Sequence, residues 1–361
     1  MLRLLLLVTL LFSVRAAETR TRNVILITVD GLRWQEVFRG AEEQLISKTN
    51  GGVANVDRIR AAFWRDTPEA RREALMPFFW KVVARQGQLY GNTNRGSTAL
   101  LTNGRKFTYP GFNEILAGFA DDRIVSNDPR DNPNITVFEW LYRKPDFAGR
   151  AVAFPNWDVH YHIFNARRSG IPTWTGYTNS LSFAPGSRLE LLEQIHRDMT
   201  PLWSGMDFDA FYINAAIEYL KERQPRLMWI GFSEPDEWAH EGRYDYYLLS
   251  AQRLDDYLRR LWETLQSLPQ YRDQTAVILT CDHGRGGGPV EWRNHGAAVE
   301  GAENIWIAAL GPDVRPLGER ANTGDVYQNQ IAATLATWLG EDYCRDVPRA
   351  GAPIADLLPA P

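Results

Sequence analysis

The chain has 361 residues, 44% hydrophobic and 23% charged, with a formal net charge of −4 and a pI near 5.9. That is ordinary globular composition with length enough for a large buried core. Its mild acidity and lack of a basic block exclude nucleic-acid binding as the main role. The two cysteines, Cys281 and Cys344, are too few for a zinc-finger framework.

In chain order, the first element is "MLRLLLLVTLLFSVRAAETRTR". Arg3 is a short positive region, Leu4 to Val14 an apolar run, and Ala16 and Ala17 small residues suited to cleavage. The pattern predicts a signal peptide over 1–17, too short to span a bilayer, and an exported, periplasmic or secreted protein. No later segment is long and apolar enough for a transmembrane anchor. Apolar runs at 23–30, 89–95, 150–155, 227–232, 276–282 and 304–311 predict strands. They lack clean alternation, as strands covered on both faces do. Helical patterns fall at 73–86, 112–118, 135–143, 187–198, 208–223, 244–267 and 325–339. This order predicts one doubly wound α/β domain over 18–346, with a mostly parallel central sheet and helices on both faces. The Pro- and Gly-rich stretch 347–361 reads as a loose tail. Cys281 ends an apolar run and reads as a small buried residue, although export permits its pairing with Cys344.

In open α/β sheets ligands bind beyond the carboxyl ends of the strands. Three predicted strands deliver acids there: "VILITVDG" ends on Asp30, "LMWIGFSEPDEWAH" carries Asp236, and "VILTCDHG" ends on Asp282. Each alone reads equally as a turn residue or a helix cap. Three on one rim repel each other unless a cation sits among them. Histidines join them: His240 is four residues after Asp236, on the same face of a helical turn, and His283 follows Asp282. His295 follows in "RNHG". This mixed nitrogen and oxygen set suits Zn²⁺, with other divalent metals possible, and six ligands fit two ions. His196 reads as a surface residue of an amphipathic helix, and His160 and His162 as core residues or cleft groups. Thr108 lies two residues before Pro110, ahead of a helix expected to begin near 111. It reads either as a helix cap or as a hydroxyl nucleophile placed where a helix N-terminus favours phosphate.

These residues, taken in order, resemble the alkaline phosphatase superfamily. The resemblance is nearest to its type I phosphodiesterase/nucleotide pyrophosphatase branch and related bacterial phosphatases. It rests on "VDG" at Asp30, "TYPG" at Thr108, "DEWAH" at Asp236 and His240, "DHG" at Asp282 and His283, and "NHG" at His295. The resemblance implies one zinc held by Asp236, His240 and His295, and a second by Asp30, Asp282, His283 and the Thr108 oxygen. It implies that Thr108 attacks phosphorus as a metal-bound alkoxide, forming a phospho-enzyme that water then hydrolyses. An asparagine after the nucleophile helix would bind a phosphate oxygen, with Asn127 a candidate and Asn113 its rival.

The Thr-Tyr-Pro-Gly-Phe motif departs from the Cys/Ser-x-Pro-x-Arg of sulfatases, which argues against sulfate-ester hydrolysis. The distance from Asp282 to His295 is shorter than in the animal nucleotide pyrophosphatases. A monoesterase needs cationic groups for the extra charge on phosphate. Arg105, Lys106, Arg285, Arg167 and Arg168 are candidates for that contact or are solvated charges. The expected substrate is a small-molecule phosphate ester, monoester or diester. The alternatives are a phosphotransferase or mutase, a sulfatase-like hydrolase, and a non-catalytic binding protein of the same fold.

Overall fold

The computed structural model describes residues 19–177 and 181–359. The expected signal peptide over 1–17 lies outside these residues. Seven strands form one sheet: β1 (Asn23–Val29), β2 (Gly87–Tyr90), β3 (Ala151–Pro155), β4 (Leu227–Phe232), β5 (Thr275–Thr280), β6 (Ile307–Leu310) and β7 (Gly318–Glu319), in the order β3-β4-β1-β5-β6-β2-β7. The four strands β3, β4, β1 and β5 run parallel. Every residue of β1, β4 and β5 is buried, which explains their unbroken apolar runs.

The strand expected over 304–311 runs antiparallel to both β5 and β2. Its physical cause is the connection before it. Residues 281–306 loop over the carboxyl edge, carrying His283 and His295, and re-enter the sheet from that same edge. No crossover helix is then needed, and the strand must run back.

The helices that place functional side chains are α1 (Thr108–Ala117), α2 (Asp209–Arg223), α3 (Glu234–His240), α4 (Tyr244–Ser267) and α5 (Ile331–Trp338). Helix α4 spans its expected range and buries Tyr247, Leu248, Ala251, Leu254, Leu258, Leu261 and Leu265, a stripe at helical spacing. The helix expected over 73–86 is interrupted. It ends at Leu75, and the next residues wind as a π-helix over Phe79–Val83. Pro77 has no N–H to donate, so an α-helix cannot run through it. Asp255 of α4 accepts from the backbone N–H of Phe78 (2.9 Å) and Phe79 (2.7 Å) and holds the restart in place.

The C-terminal stretch is docked, not loose. Leu357 is buried and its carbonyl accepts from Trp338 Nε1 at 2.8 Å, while Ile354 N–H donates to Thr334 at 2.9 Å. The aliphatic side chains among the prolines supply the burial that composition alone conceals. Cys281 is buried and free, and Cys344 is also free. No helix of the described residues is long and apolar enough to cross a membrane.

Candidate active site

Asp30 directly follows β1, and Asp282 follows β5 by two residues. Asp236 and His240 lie on α3, which begins two residues after β4. The parallel pairing of β4, β1 and β5 brings all three carboxylates to one edge. His240 Nε2 is 3.0 Å from Asp236 Oδ2 and 3.0 Å from His295 Nε2. Those spacings are close to the roughly 3.3 Å ligand–ligand edge of a tetrahedral zinc site. His283 Nε2 is 3.2 Å from Asp30 Oδ1, 3.5 Å from Asp282 Oδ2 and 3.8 Å from Asp236 Oδ1. The His283 and His295 rings stack at 3.9 Å. Two groups of side chains could each hold a metal ion: Asp236, His240 and His295; and Asp30, Asp236 and His283. Asp236 belongs to both, and Asp282 borders the second.

The donor chemistry fits a cation. Asp30 Oδ1, Asp282 Oδ2 and His283 Nε2 are buried and make no hydrogen bond. Orphaned buried acceptors of this kind are costly and need a partner. The imidazole tautomers point the same way. His283 Nδ1 meets the Gly284 carbonyl at 3.0 Å and His295 Nδ1 meets the Lys106 carbonyl at 3.3 Å. A carbonyl only accepts, so Nδ1 carries the proton and each Nε2 lone pair faces the cluster.

The electrostatics are uneven. Burial, then the charge of Asp236, pushes Asp30 well above the usual carboxylate range. Burial, then Asp30, does the same to Asp282. Burial opposes ionisation of Asp236, but Arg285, His295 and His240 together outweigh it and hold that carboxyl well below its ordinary value. Burial, then the adjacent His283 imidazole, drives His295 down to about 2, so it stays neutral.

Arg285 is buried and already engaged. Its guanidinium bonds Asp236 Oδ1, the Asp236 carbonyl and the Arg293 carbonyl. It neutralises the cluster and is not placed as a surface phosphate contact.

Thr108 is the first residue of α1, earlier than the expected start near 111, because Pro110 lies in the first turn where its missing N–H has no role. The N-cap is Phe107, so Thr108 is not the cap, and its hydroxyl makes no hydrogen bond among the described residues. Gly111, one turn on, packs so tightly that a Cβ there would sit 2.3 Å from the Asp282 carbonyl oxygen. The nucleophile candidate's helix is thus pressed against a ligand candidate's backbone. Asn127 Oδ1 accepts from Tyr109 N–H at 2.9 Å, which puts this side chain at the same helix start.

Several expected substrate contacts are placed elsewhere. Asn113 is fully buried; it donates to Phe119 O at 2.9 Å and accepts from Asn132 and Asn134, so it ties loops together beneath the helix. Lys106 Nζ pairs with Glu303 at 2.7 Å, and its carbonyl, not its ammonium, reaches His295. Arg105 is exposed and has no ion pair among the described residues. Arg167 is engaged by Asp131 and Arg168 by Glu139.

His196 is buried, not on the surface; it pairs with Asp207 and stacks on Tyr177 at 4.8 Å. His160 is enclosed by Phe112, Trp157 and Trp229, and burial lowers it to about 3. His162 pairs with Asp131 at 2.7 Å.

Sequence reasoning missed Glu114. It is buried on α1 and accepts from Thr102 N and Oγ1 and Asn103 N and Nδ2, at 2.7–2.9 Å. Those bonds hold the loop that delivers Thr108. A glutamate in an otherwise apolar helical run, six residues past Thr108, was the available signal.

The family described as type I phosphodiesterase / nucleotide pyrophosphatase matches over residues 80–300, a span containing Thr108, Asp236, His240, Asp282, His283 and His295. No curated protein sequence gives a significant match. Among solved structures, phosphonate monoester hydrolase SpPMH from Silicibacter pomeroyi is similar at TM-score 0.56 and 13% identity, over 94% of this chain and 78% of that one. The 2-O GAG sulfatase BT1596 is similar at TM-score 0.57 and 12% identity, over 94% and 74%. A protein of the alkaline phosphatase superfamily from Vibrio parahaemolyticus is similar at TM-score 0.50 and 12% identity, over 89% and 67%. At such identities the likeness shows the shared fold.

Proposed function

This chain belongs to the type I phosphodiesterase / nucleotide pyrophosphatase family, within the alkaline phosphatase superfamily of hydrolases, and on that premise we propose that it is an exported, dinuclear zinc hydrolase of small-molecule phosphate esters, with Thr108 as nucleophile. The observation that carries the reading is the convergence of Asp30, Asp236, His240, Asp282, His283 and His295 on one sheet edge, with orphaned donor atoms facing inward.

Asp236, His240 and His295 would hold one ion, and Asp30, Asp282, His283 and Thr108 the other. When bound, the ions lower the pKa of a hydroxyl or water and neutralise charge gathering on phosphate. Thr108 Oγ attacks phosphorus in line. A new Oγ–P bond forms, the ester P–O bond breaks, and the alcohol leaves with a proton. Water then attacks the phosphothreonine, the Oγ–P bond breaks, and the threonine hydroxyl and free phosphate product are restored. The Thr108 N–H, the one backbone donor of the first turn of α1 without a partner among the described residues, is left for a phosphate oxygen. Asn127 uses Oδ1 on Tyr109, which leaves its Nδ2 to donate to a phosphate oxygen.

The test is turnover of an aryl phosphate monoester, the matching diester and the aryl sulfate by one preparation, with Thr108→Ala beside it. The expected result is phosphate-ester turnover, lowered by several orders of magnitude in the variant. Wild-type turnover in Thr108→Ala, or sulfate hydrolysis exceeding both phosphates, overturns the reading.

A further inference from the structure

A separate cleft of about 410 Å³ opens between the short helix Trp34–Arg39, the turn Glu43–Leu45 and the helix Pro68–Leu75. That volume is within the range of small-molecule sites. Gly287 and Gly288 close one wall, and none of the proposed metal ligands, nor Thr108, lines it.

The cleft's two glutamates and two arginines are unequally occupied. Glu42 pairs with Arg33 at 3.2 Å and Glu43 with Arg60 at 3.0 Å. Arg39 makes no side-chain hydrogen bond or ion pair among the described residues. Arg71 donates only to carbonyls, from Nε to Arg39 at 3.2 Å and from Nη1 to Arg65 at 3.0 Å and Asp66 at 3.4 Å. Its Cζ lies 4.4 Å from the Trp64 ring centre. Gly40, at φ 69°, lets the chain after Arg39 press on Arg71, since a Cβ there would sit 2.4 Å from the Arg71 carbonyl carbon. Two guanidinium groups are thus held side by side with no carboxylate partner. Burial, and after it the charge on Arg39, lowers the Arg71 guanidinium, which Glu43 and Glu69 offset only in part.

We propose that this cleft binds a sugar carboxylate, a pyranose ring bearing one carboxylate group. Arg39 offers a whole guanidinium fork and Arg71 its remaining Nη2. A carboxylate presents two coplanar oxygens to such a fork. Glu42 and Glu43 line the same cleft and repel a second negative charge, which disfavours a dianionic phosphate ester. Trp34 and Trp64 supply apolar ring surface. The Gln35 side chain makes no hydrogen bond among the described residues and has an amide to offer a sugar hydroxyl. The site stands independently of the proposed catalysis.

The test is isothermal titration of the purified, zinc-loaded protein with glucuronate, beside glucose, acetate and galactose 6-sulfate. The comparison proteins are Arg39→Gln, Arg71→Lys and His240→Ala/His295→Ala. The account expects saturable glucuronate binding that falls at least about tenfold in Arg39→Gln and several-fold in Arg71→Lys, whose charge remains but whose fork is gone. Binding is retained in His240→Ala/His295→Ala, and glucose and acetate each bind at least about tenfold more weakly than glucuronate. Arg39→Gln removes no hydrogen bond of the described residues, so it folds as the parent does and its ester turnover is unchanged. Absence of saturable binding, or equal binding by Arg39→Gln, overturns the proposal. Loss of binding in His240→Ala/His295→Ala overturns it too, because the sugar then sits on the metal centre. Tighter binding of galactose 6-sulfate than of glucuronate overturns the choice of a carboxylate.

Discussion

Gly111→Ala isolates the packing between α1 and the end of β5. In an unconstrained helix this change stabilises by about 1 kcal/mol. Here the added Cβ meets the Asp282 carbonyl oxygen at 2.3 Å, its carbonyl carbon at 2.9 Å and its Cβ at 3.2 Å. These are backbone and first-atom contacts that no rotamer relieves, so α1 must retreat by roughly 1 Å to reach ordinary contact. Overpacking of that kind costs about 1–3 kcal/mol, which outweighs the helical gain. A shift of about 1 Å at a nucleophile costs on the order of a hundredfold in rate. Gly104→Ala is the control, since nothing lies within 4 Å of its Cβ position. Urea unfolding and aryl phosphate turnover read both effects. The reasoning fails if Gly111→Ala is as stable as the parent and turns over within a few-fold of it.

Glu114→Gln places an amide donor against four donors on Thr102 and Asn103. It should lose roughly 2–4 kcal/mol in denaturant unfolding and slow turnover through the Thr108 loop; a loss below about 0.5 kcal/mol contradicts the assignment. His160, lowered to about 3 by burial, stays neutral when folded but takes a proton when unfolded below about 6.5. Its contribution is full above about 6.5 and is lost as pH falls toward about 3, at up to 1.4 kcal/mol per pH unit. His160→Phe should flatten the pH dependence of unfolding between about pH 6 and 4.5, and an unchanged slope contradicts the burial argument.

What the sequence disclosed was whatever local chemistry enforces. β1, β4 and β5 are legible because both faces are buried and their apolar runs are unbroken. Asp236 and His240 are legible because a helical turn aligns positions four apart. What stayed hidden depends on partners far along the chain. Lys106 looked like a phosphate contact until Glu303, 197 residues on, engaged its ammonium. Asn113 looked like a rival to Asn127 until Asn132 and Asn134 filled its hydrogen bonds inside the core. His196 looked solvated because its helix is amphipathic, yet it pairs with Asp207 on the buried face. The short helix Val56–Phe63 and the start of Pro68–Leu75, ahead of the helix expected from 73, were missed although Asn55 and Thr67 cap them, the latter with Pro68 at its first position.

Elemental analysis of the zinc-reconstituted, dialysed protein tests the central claim most directly. The account predicts about two zinc ions per chain, falling to about one in a His240→Ala/His295→Ala variant that keeps Asp30, Asp282 and His283. No retained metal in the parent protein, or an unchanged content in the variant, contradicts it.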